Sequence, residues 1–250
     1  MSRGFQYDYA QINPGVFDRA GRRRKAETMA AVLGNFIQGP LASLNLLNVG
    51  GSAGAIDIVL AEHFASVLSV DIDAPAIAHA REHFQRENLR FLVADAQRLP
   101  LPNAAFDVAV CSHVYEHVPD ASRLMLEILR VLKPGGVCYF AAGNRLAWNE
   151  PHYNLPLLSV LPRQLAHRYI RLMGKAERYH EQHLSWWGLK HLVRDFECHD
   201  YTARIAADPA RFNASYLLPP GSLKTRVARL ILRIAPWLCP SYIWLLRKPL

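Results

Sequence analysis

The stretch Leu46-Leu47-Asn48-Val49-Gly50-Gly51-Ser52-Ala53-Gly54 decides the reading of this chain. Its apolar run predicts a short buried strand that ends in a tight glycine turn and hands over to a helix. A second apolar run, Val67-Leu68-Ser69-Val70, then delivers Asp71, 17 residues after Gly54. Glycines at such a turn let a ligand approach the backbone with no Cβ in the way. The helix start offers unpaired N–H groups, and the downstream acid is placed to accept from a ribose diol. Together these residues point to an adenosine-containing cofactor.

Working outward, strand-like and helix-like patterns alternate. Residues 26–38 suit a helix that stops before Gly39-Pro40. The first strand lies near 45–50, followed by a helix from about Ala55 to Phe64. The second strand covers 67–71, and Pro75 opens a helix running to about Glu87. Leu89 to Ala94 and Phe106 to Ser112 read as the third and fourth strands, with a helix at 121–132. Lys133-Pro134-Gly135-Gly136 is a stop-and-turn signal before a fifth strand, Val137 to Ala142. Continuously apolar strands in βαβα order predict an α/β fold, a mainly parallel sheet with helices on both faces. Two later β-like runs, Phe196 to Ile205 and Tyr242 to Leu246, would complete it. The expected architecture is one Rossmann-like domain over 1–250. A helical cover (1–44) precedes the cofactor-binding core (45–144), a helical insertion (145–195) separates strands 5 and 6, and the last strands and an amphipathic helix occupy 196–250.

A 250-residue chain with 51% hydrophobic and 20% charged residues has the composition of a globular domain with a substantial core. Cys111, Cys138, Cys198 and Cys239 form no CxxC pair and no disulfide framework, which suits a reducing, cytoplasmic setting and gives no zinc pattern. Met1 to Tyr9 lacks the apolar core of a signal peptide. The apolar piece from Ile234 to Leu246 carries Pro236 and Pro240 and is too short to span a bilayer. The net charge of +8 is uneven: +3 over residues 1–44, −4 over 45–150 and +9 over 151–250. The basic C-terminal part suits an anionic acceptor, a lipid surface or nucleic acid, and equally a solvated basic face.

A glycine turn followed by an acid occurs in two cofactor classes. The dinucleotide fingerprint fails here, because its second and third glycine positions hold Ser52 and Ala55. S-adenosylmethionine carries no phosphate, so its turn tolerates a serine. The chain resembles the class I S-adenosylmethionine-dependent methyltransferases, in the branch acting on small molecules and lipids. Leu47 to Gly54 looks like their first motif, Val70-Asp71-Ile72-Asp73 like the ribose motif, and Val93-Ala94-Asp95-Ala96 like the adenine motif. Leu99 to Asp107 and Leu129 to Gly136 match the approaches to their fourth and fifth strands.

That resemblance implies a seven-stranded class I fold and S-adenosyl-L-methionine as cofactor. It implies that the backbone around Gly50, Gly51, Ser52 and Gly54 holds the methionine part, and that Asp71 accepts from both ribose hydroxyls. Ile72 would pack on adenine, Asp95 would accept from its amino group, and the Ala96 N–H would donate to a ring nitrogen. Ser112 and His113 would face the methyl group. One position departs from the pattern: Asn48 stands where the family usually has an acid, which is expected to weaken cofactor affinity modestly.

His113 and His117 sit four apart, a spacing that would put both on one helix face. No third ligand is marked by spacing and HExxH does not match, so no metal is expected. Either histidine can instead take a proton from an acceptor hydroxyl, with His117 the first candidate base and His113 behind it, or serve a purely structural role. His152, His180 and His183, near Tyr153, Tyr179 and Trp186-Trp187, could line an acceptor pocket or pack the insertion. Around 224–235, Arg226, Arg229 and Arg233 oppose Leu230, Ile231 and Ile234. This basic amphipathic helix suits anionic headgroups, or a sheet cover with its arginines in water. The expected activity is methyl transfer to a small-molecule or lipid-linked acceptor, O-methylation among the options. RNA methylation and non-catalytic S-adenosylmethionine binding are the alternatives. Arg22-Arg23-Arg24-Lys25 is a second short basic cluster, suited to a solvated helix start. Nucleic acid is the weaker partner, since neither basic cluster interleaves aromatics; the sequence does not give the oligomeric state.

Overall fold

The computed structural model describes residues 6–7, 9–12 and 14–250, so residues 1–5 of the expected N-terminal cover lie outside the described residues. The chain runs α1 (Tyr9–Ile12), α2 (Arg19–Phe36), β1 (Asn45–Val49), α3 (Asp57–Leu60), β2 (Ser66–Asp71), α4 (Ala74–His83), β3 (Leu89–Val93), β4 (Phe106–Ser112), α5 (Ala121–Val131) and β5 (Leu132–Gly143). It continues with β6 (Asn149–Glu150), β7 (Leu155–Pro156), α6 (Arg163–Leu172), α7 (Trp186–Leu192), β8 (Glu197–Asp200), α8 (Thr202–Ala207), α9 (Leu223–Ile234) and β9 (Ser241–Arg247).

Seven strands form one sheet in the order β3-β2-β1-β4-β5-β9-β8. The β1–β2, β2–β3, β1–β4 and β4–β5 pairs are parallel, and β9 runs antiparallel between β5 and β8. Strand order reverses at β1, so a crevice opens beyond the C-terminal ends of β1 and β4, where open α/β sheets bind ligands.

Both faces are buried, and the period of two sorts side chains between them. Leu47, Val49, Ala109, Cys111, Phe140 and Trp244 enter one apolar cluster with Leu124 and Ile128 of α5 and Leu189 of α7. Leu46, Val108, Val110, Tyr139 and Leu245 enter the other with Met29, Val32 and Leu33 of α2 and Leu60 of α3. This alternation is the reason the strands read as unbroken apolar runs.

The elements differ from the sequence expectation where local contacts overrode pattern. The helix expected at 55–64 is only α3, because its last turn tightens into Glu62 N–H to Val59 and His63 N–H to Leu60 bonds. α4 stops at His83 rather than Glu87; Asn88 then donates its side-chain amide to the Ala61 and Phe64 carbonyls, sealing the entry to β3. The Lys133-Pro134-Gly135-Gly136 turn is drawn into β5, because Gly135 donates to Lys248 and Lys248 donates back to Gly136. The β-like run expected over 196–205 ends at Asp200, whose carboxylate accepts the Thr202 N–H and starts α8. The small β6–β7 hairpin, in which Glu150 pairs with Leu155, carries no alternation signal in the sequence.

Candidate active site

The crevice holds a cavity of about 430 Å³, the size range of small-ligand sites, lined from β1, β2, β4, the turns after them and the N-terminal cover. Of the residues expected to hold a cofactor, Asn48, Gly50, Ser52, Asp71, Ile72, Asp95, Ala96 and Ser112 border it. Gly51 and Gly54 do not. A Cβ on Gly51 would run into Ser69 Oγ, and one on Gly54 would meet Ala80, Phe84 and Phe91. Those two glycines let the turn pack down onto β2 and α4.

The turn is held by Gly50 and Gly51 N–H groups, both donating to the Val70 carbonyl. Ser52 has a left-handed φ of 52°, a conformation that favours glycine. Its N–H donates to Asp71 Oδ2 at 2.8 Å, while the Asp73 N–H donates to Asp71 Oδ1 at 2.9 Å. Each carboxylate oxygen therefore keeps a further acceptor site for a ligand. Burial raises the Asp71 pKa, partly offset by those two backbone bonds. Ser52 borders the cavity, and its Oγ is a buried hydroxyl without a hydrogen-bond partner. This donor set fits the ribose and amino-acid ends of S-adenosylmethionine. Asp95 Oδ1 accepts from the Gln97 backbone N–H at 3.0 Å and its side-chain amide at 3.1 Å, which fixes the carboxylate at the cavity wall.

Asn48 is not without its acid. Its amide donates to Asp57 Oδ1 at 2.7 Å, and Asp57 is fully buried beneath the glycine turn. Burial pushes Asp57 up to about 7, with the Asn48 hydrogen bond pulling the other way.

His113 and His117 both border the cavity, but not on a helix: the segment after β4 is a turn, and His113 has a φ of 56°. His113 Nδ1 lies 3.2 Å from Glu116 Oε1. Burial, with the charges of neighbouring histidines, lowers His117 to about 4 against the opposing charge of Glu116. The turn is pinned to the insertion by Gln182 N–H to the Glu116 carbonyl and Leu184 N–H to the Tyr115 hydroxyl. That packing brings in residues the sequence spacing did not mark. Glu150 Oε1 lies 2.6 Å from His152 Nδ1 and 3.2 Å from His183 Nε2. Burial opposes ionisation of Glu150, but these two hydrogen bonds hold it at about 2. His152 borders the cavity; His183 lies buried behind Glu150. His180, Trp186 and Trp187 are not on the cavity wall, and Trp186 instead packs against the core.

The cover contributes Tyr9, Arg22 and Lys25 to the cavity. It is anchored by the Ala10 N–H, which donates to Asp73 Oδ2 at 2.8 Å, the same carboxylate whose Oδ1 caps α4 at Ala76. Burial lowers the Arg22 pKa, with Tyr9 and Asp18 opposing. The sequence carried this cationic wall only as a charge run, Arg22 to Lys25, with nothing to direct it inward.

Residues 47–140 match the family model described as a methyltransferase domain. A ubiquinone biosynthesis O-methyltransferase from Coxiella burnetii is 32% identical over 107 residues, 42% of this chain and 46% of that protein. The chain thus spans about half the length of the curated relatives it matches. Among solved structures, an S-adenosylmethionine-dependent methyltransferase from Methanosarcina mazei superposes with TM-score 0.57 at 20% identity, over 88% of this chain and 97% of the other. The geranyl diphosphate C-methyltransferase of Streptomyces coelicolor, solved with S-adenosyl-L-homocysteine, gives TM-score 0.53 at 16% identity over 89% and 77%. Residues 47–140 are thus similar to the methyltransferase-domain family, and the chain around them has the fold of class I S-adenosylmethionine-dependent methyltransferases.

Proposed function

We propose that the protein transfers the methyl group of S-adenosylmethionine to a small-molecule or lipid-linked acceptor, with an oxygen acceptor favoured. The observation that carries this reading is Asp71 at the crevice, each oxygen fixed by one backbone N–H and each keeping an acceptor site for a ribose hydroxyl. The cofactor, when bound, supplies an electrophilic methyl on its sulfonium. The protein's task is then to align an acceptor and exclude water. Asp71, Asp95 and the Ala96 N–H orient the nucleoside, Ser52 Oγ and the turn hold the amino-acid end, and Ser112 and His113 border the methyl. His117 stays neutral at physiological pH and can accept a hydrogen bond from an acceptor hydroxyl. Its low basicity suits orientation better than complete proton removal. Arg22 and Lys25 suit an anion, whether the cofactor's carboxylate or an acidic acceptor. The Coxiella relative's name, an O-methyltransferase of ubiquinone biosynthesis, supports an oxygen acceptor.

The reading extends to peripheral contact with an anionic membrane. Leu223, Leu230 and Ile234 of α9 are 76%, 56% and 62% exposed, beside Arg226 and Arg233. Arg229 is differently employed, donating to the Ala206 carbonyl at the end of α8. No helix among the described residues is long and apolar enough to cross a membrane. The test is incubation of the purified chain with methyl-labelled S-adenosylmethionine and separate lipid, metabolite and RNA fractions. Label in lipid or metabolites is the expected result. Label confined to RNA, or cofactor binding without label in any fraction, overturns it.

A further inference from the structure

We propose that Glu150, His152 and His183 form a binding site for a divalent first-row metal ion of the zinc class. The three residues come from the β6–β7 hairpin and from an extended segment 33 residues after Glu150, and the tertiary fold alone brings them together. Glu150 Oε1 stands 2.6 Å from His152 Nδ1 and 3.2 Å from His183 Nε2, and all three candidate ligand atoms lie within 4.8 Å of one another. Two imidazoles and one carboxylate make a recurring three-ligand zinc set, with ligand atoms about 3.3–3.5 Å apart for bonds of about 2.0–2.1 Å. The two observed separations are shorter than that, so an ion entering in place of the protons between these groups would spread them by less than about 1 Å.

The surroundings carry the features a metal needs. Glu150 Oε2 accepts the Tyr153 N–H at 2.9 Å, which fixes the carboxylate plane from behind. Glu116, Glu150 and Glu181 are buried together, and the ion pairs recorded for them among the described residues run to histidines. Three carboxylates buried in one cluster need partners, and buried charges are paired or coordinate a metal. Glu116 Oε2, Glu181 Oε2 and His183 Nδ1 are buried atoms without hydrogen-bond partners, so the cluster has more polar capacity than its own side chains use. Imidazole with carboxylate selects zinc, cobalt, nickel or iron(II) over magnesium and calcium. His152 borders the cavity, which gives an ion a path in and an exchangeable position for water or an acceptor oxygen. Glu116, His117 and His152 also bring ligand atoms within 4.8 Å of one another and share His152, so a displaced ion would still lie within this cluster. The sequence expectation of no metal was drawn from His113 and His117, which lack a third ligand by spacing; neither belongs to this set, which forms only when the fold brings His183 to the hairpin.

The site does not depend on methyl transfer, and its test does not read activity. Untagged protein, stripped with a chelator, is titrated with zinc by calorimetry and with cobalt(II) by visible absorption. One ion per chain is expected, with a cobalt spectrum free of thiolate-to-metal charge transfer. Glu150→Gln and His183→Gln should each weaken zinc at least ~100-fold, with folding checked by circular dichroism, while exposed His63→Gln leaves it unchanged. Absence of saturable binding by the wild type, unchanged affinity in both variants, or a thiolate spectrum overturns the proposal. Should the variants misfold, the wild-type stoichiometry and cobalt spectrum decide it.

Discussion

Replacing Asp57 by Asn should remove a specific pH dependence of stability. Asp57 is wholly buried, touches the Asn48 amide at 2.7 Å, and titrates at about 7 in the folded chain. In the unfolded chain the same group titrates near 3.9. Between those values the folded protein holds a proton that the unfolded chain has released. Stability from this group is therefore complete below pH ~4 and lost as pH rises through about 7. A difference of about three pKa units corresponds to about 4 kcal/mol as a ceiling, against a typical domain stability of about 5–15 kcal/mol. Urea denaturation between pH 4.5 and 8.5, wild type against Asp57→Asn, measures it; the difference between the two curves isolates this group from the other titrating residues. The wild type should lose stability across that range relative to the variant, by an amount approaching the ceiling. Parallel curves would refute the assignment, because they would mean that Asp57 ionises in the folded state as readily as in water.

Asp71→Ala strips the acceptor from two backbone N–H groups and from the ribose, so calorimetric affinity for S-adenosylmethionine should fall at least ~100-fold, the loss of two charge-assisted hydrogen bonds; unchanged affinity removes the ribose role. Ser52→Gly relieves a φ of 52° and should stabilise the fold by about 0.5–1 kcal/mol in thermal melts, with a decrease contradicting the strain argument. Leu223→Glu with Leu230→Glu, both on the exposed face of α9, should reduce sedimentation with anionic vesicles several-fold without lowering the melting temperature; equal sedimentation rejects the membrane contact.

The half of the site formed by β1, the glycine turn and β2 was legible because its determinants are local. Val49, Gly50 and Asp71 are fixed by one strand–turn–helix–strand unit, and apolar runs bounded by glycine specify such a unit within about 30 residues. The start of α4 was equally readable from Pro75, and Asp73 caps it there. The opposite wall was not. Tyr9, Arg22 and Lys25 reach the cavity only because the cover folds across it, and the Ala10 N–H bond to Asp73 that anchors it joins positions 63 residues apart. His113 and His117 illustrate the cost of assuming a local element: a four-residue spacing means one face only on a helix, and here the chain turns through a left-handed residue.

Asn48 shows how a departure from a family pattern can be answered elsewhere in the fold. An acid at 48 would face Asp57 Oδ1 at hydrogen-bond distance in a buried site, where two carboxylates cannot both ionise. An amide there donates instead, and the acid occupies the first position of α3, nine residues on, where helix N–H groups favour a negative end. The pair thus keeps one carboxyl and one partner beneath the turn. With the Asp57 proton gone above about pH 7, the turn also regains a negative charge close to Asn48 and Gly51. Affinity for the cationic sulfonium of S-adenosylmethionine should therefore strengthen around pH 7, as Asp57 ionises in the folded chain and the decline in stability levels off, and Asp57→Asn should abolish both trends. Loss of one trend without the other would separate the charge beneath the turn from the ligand above it.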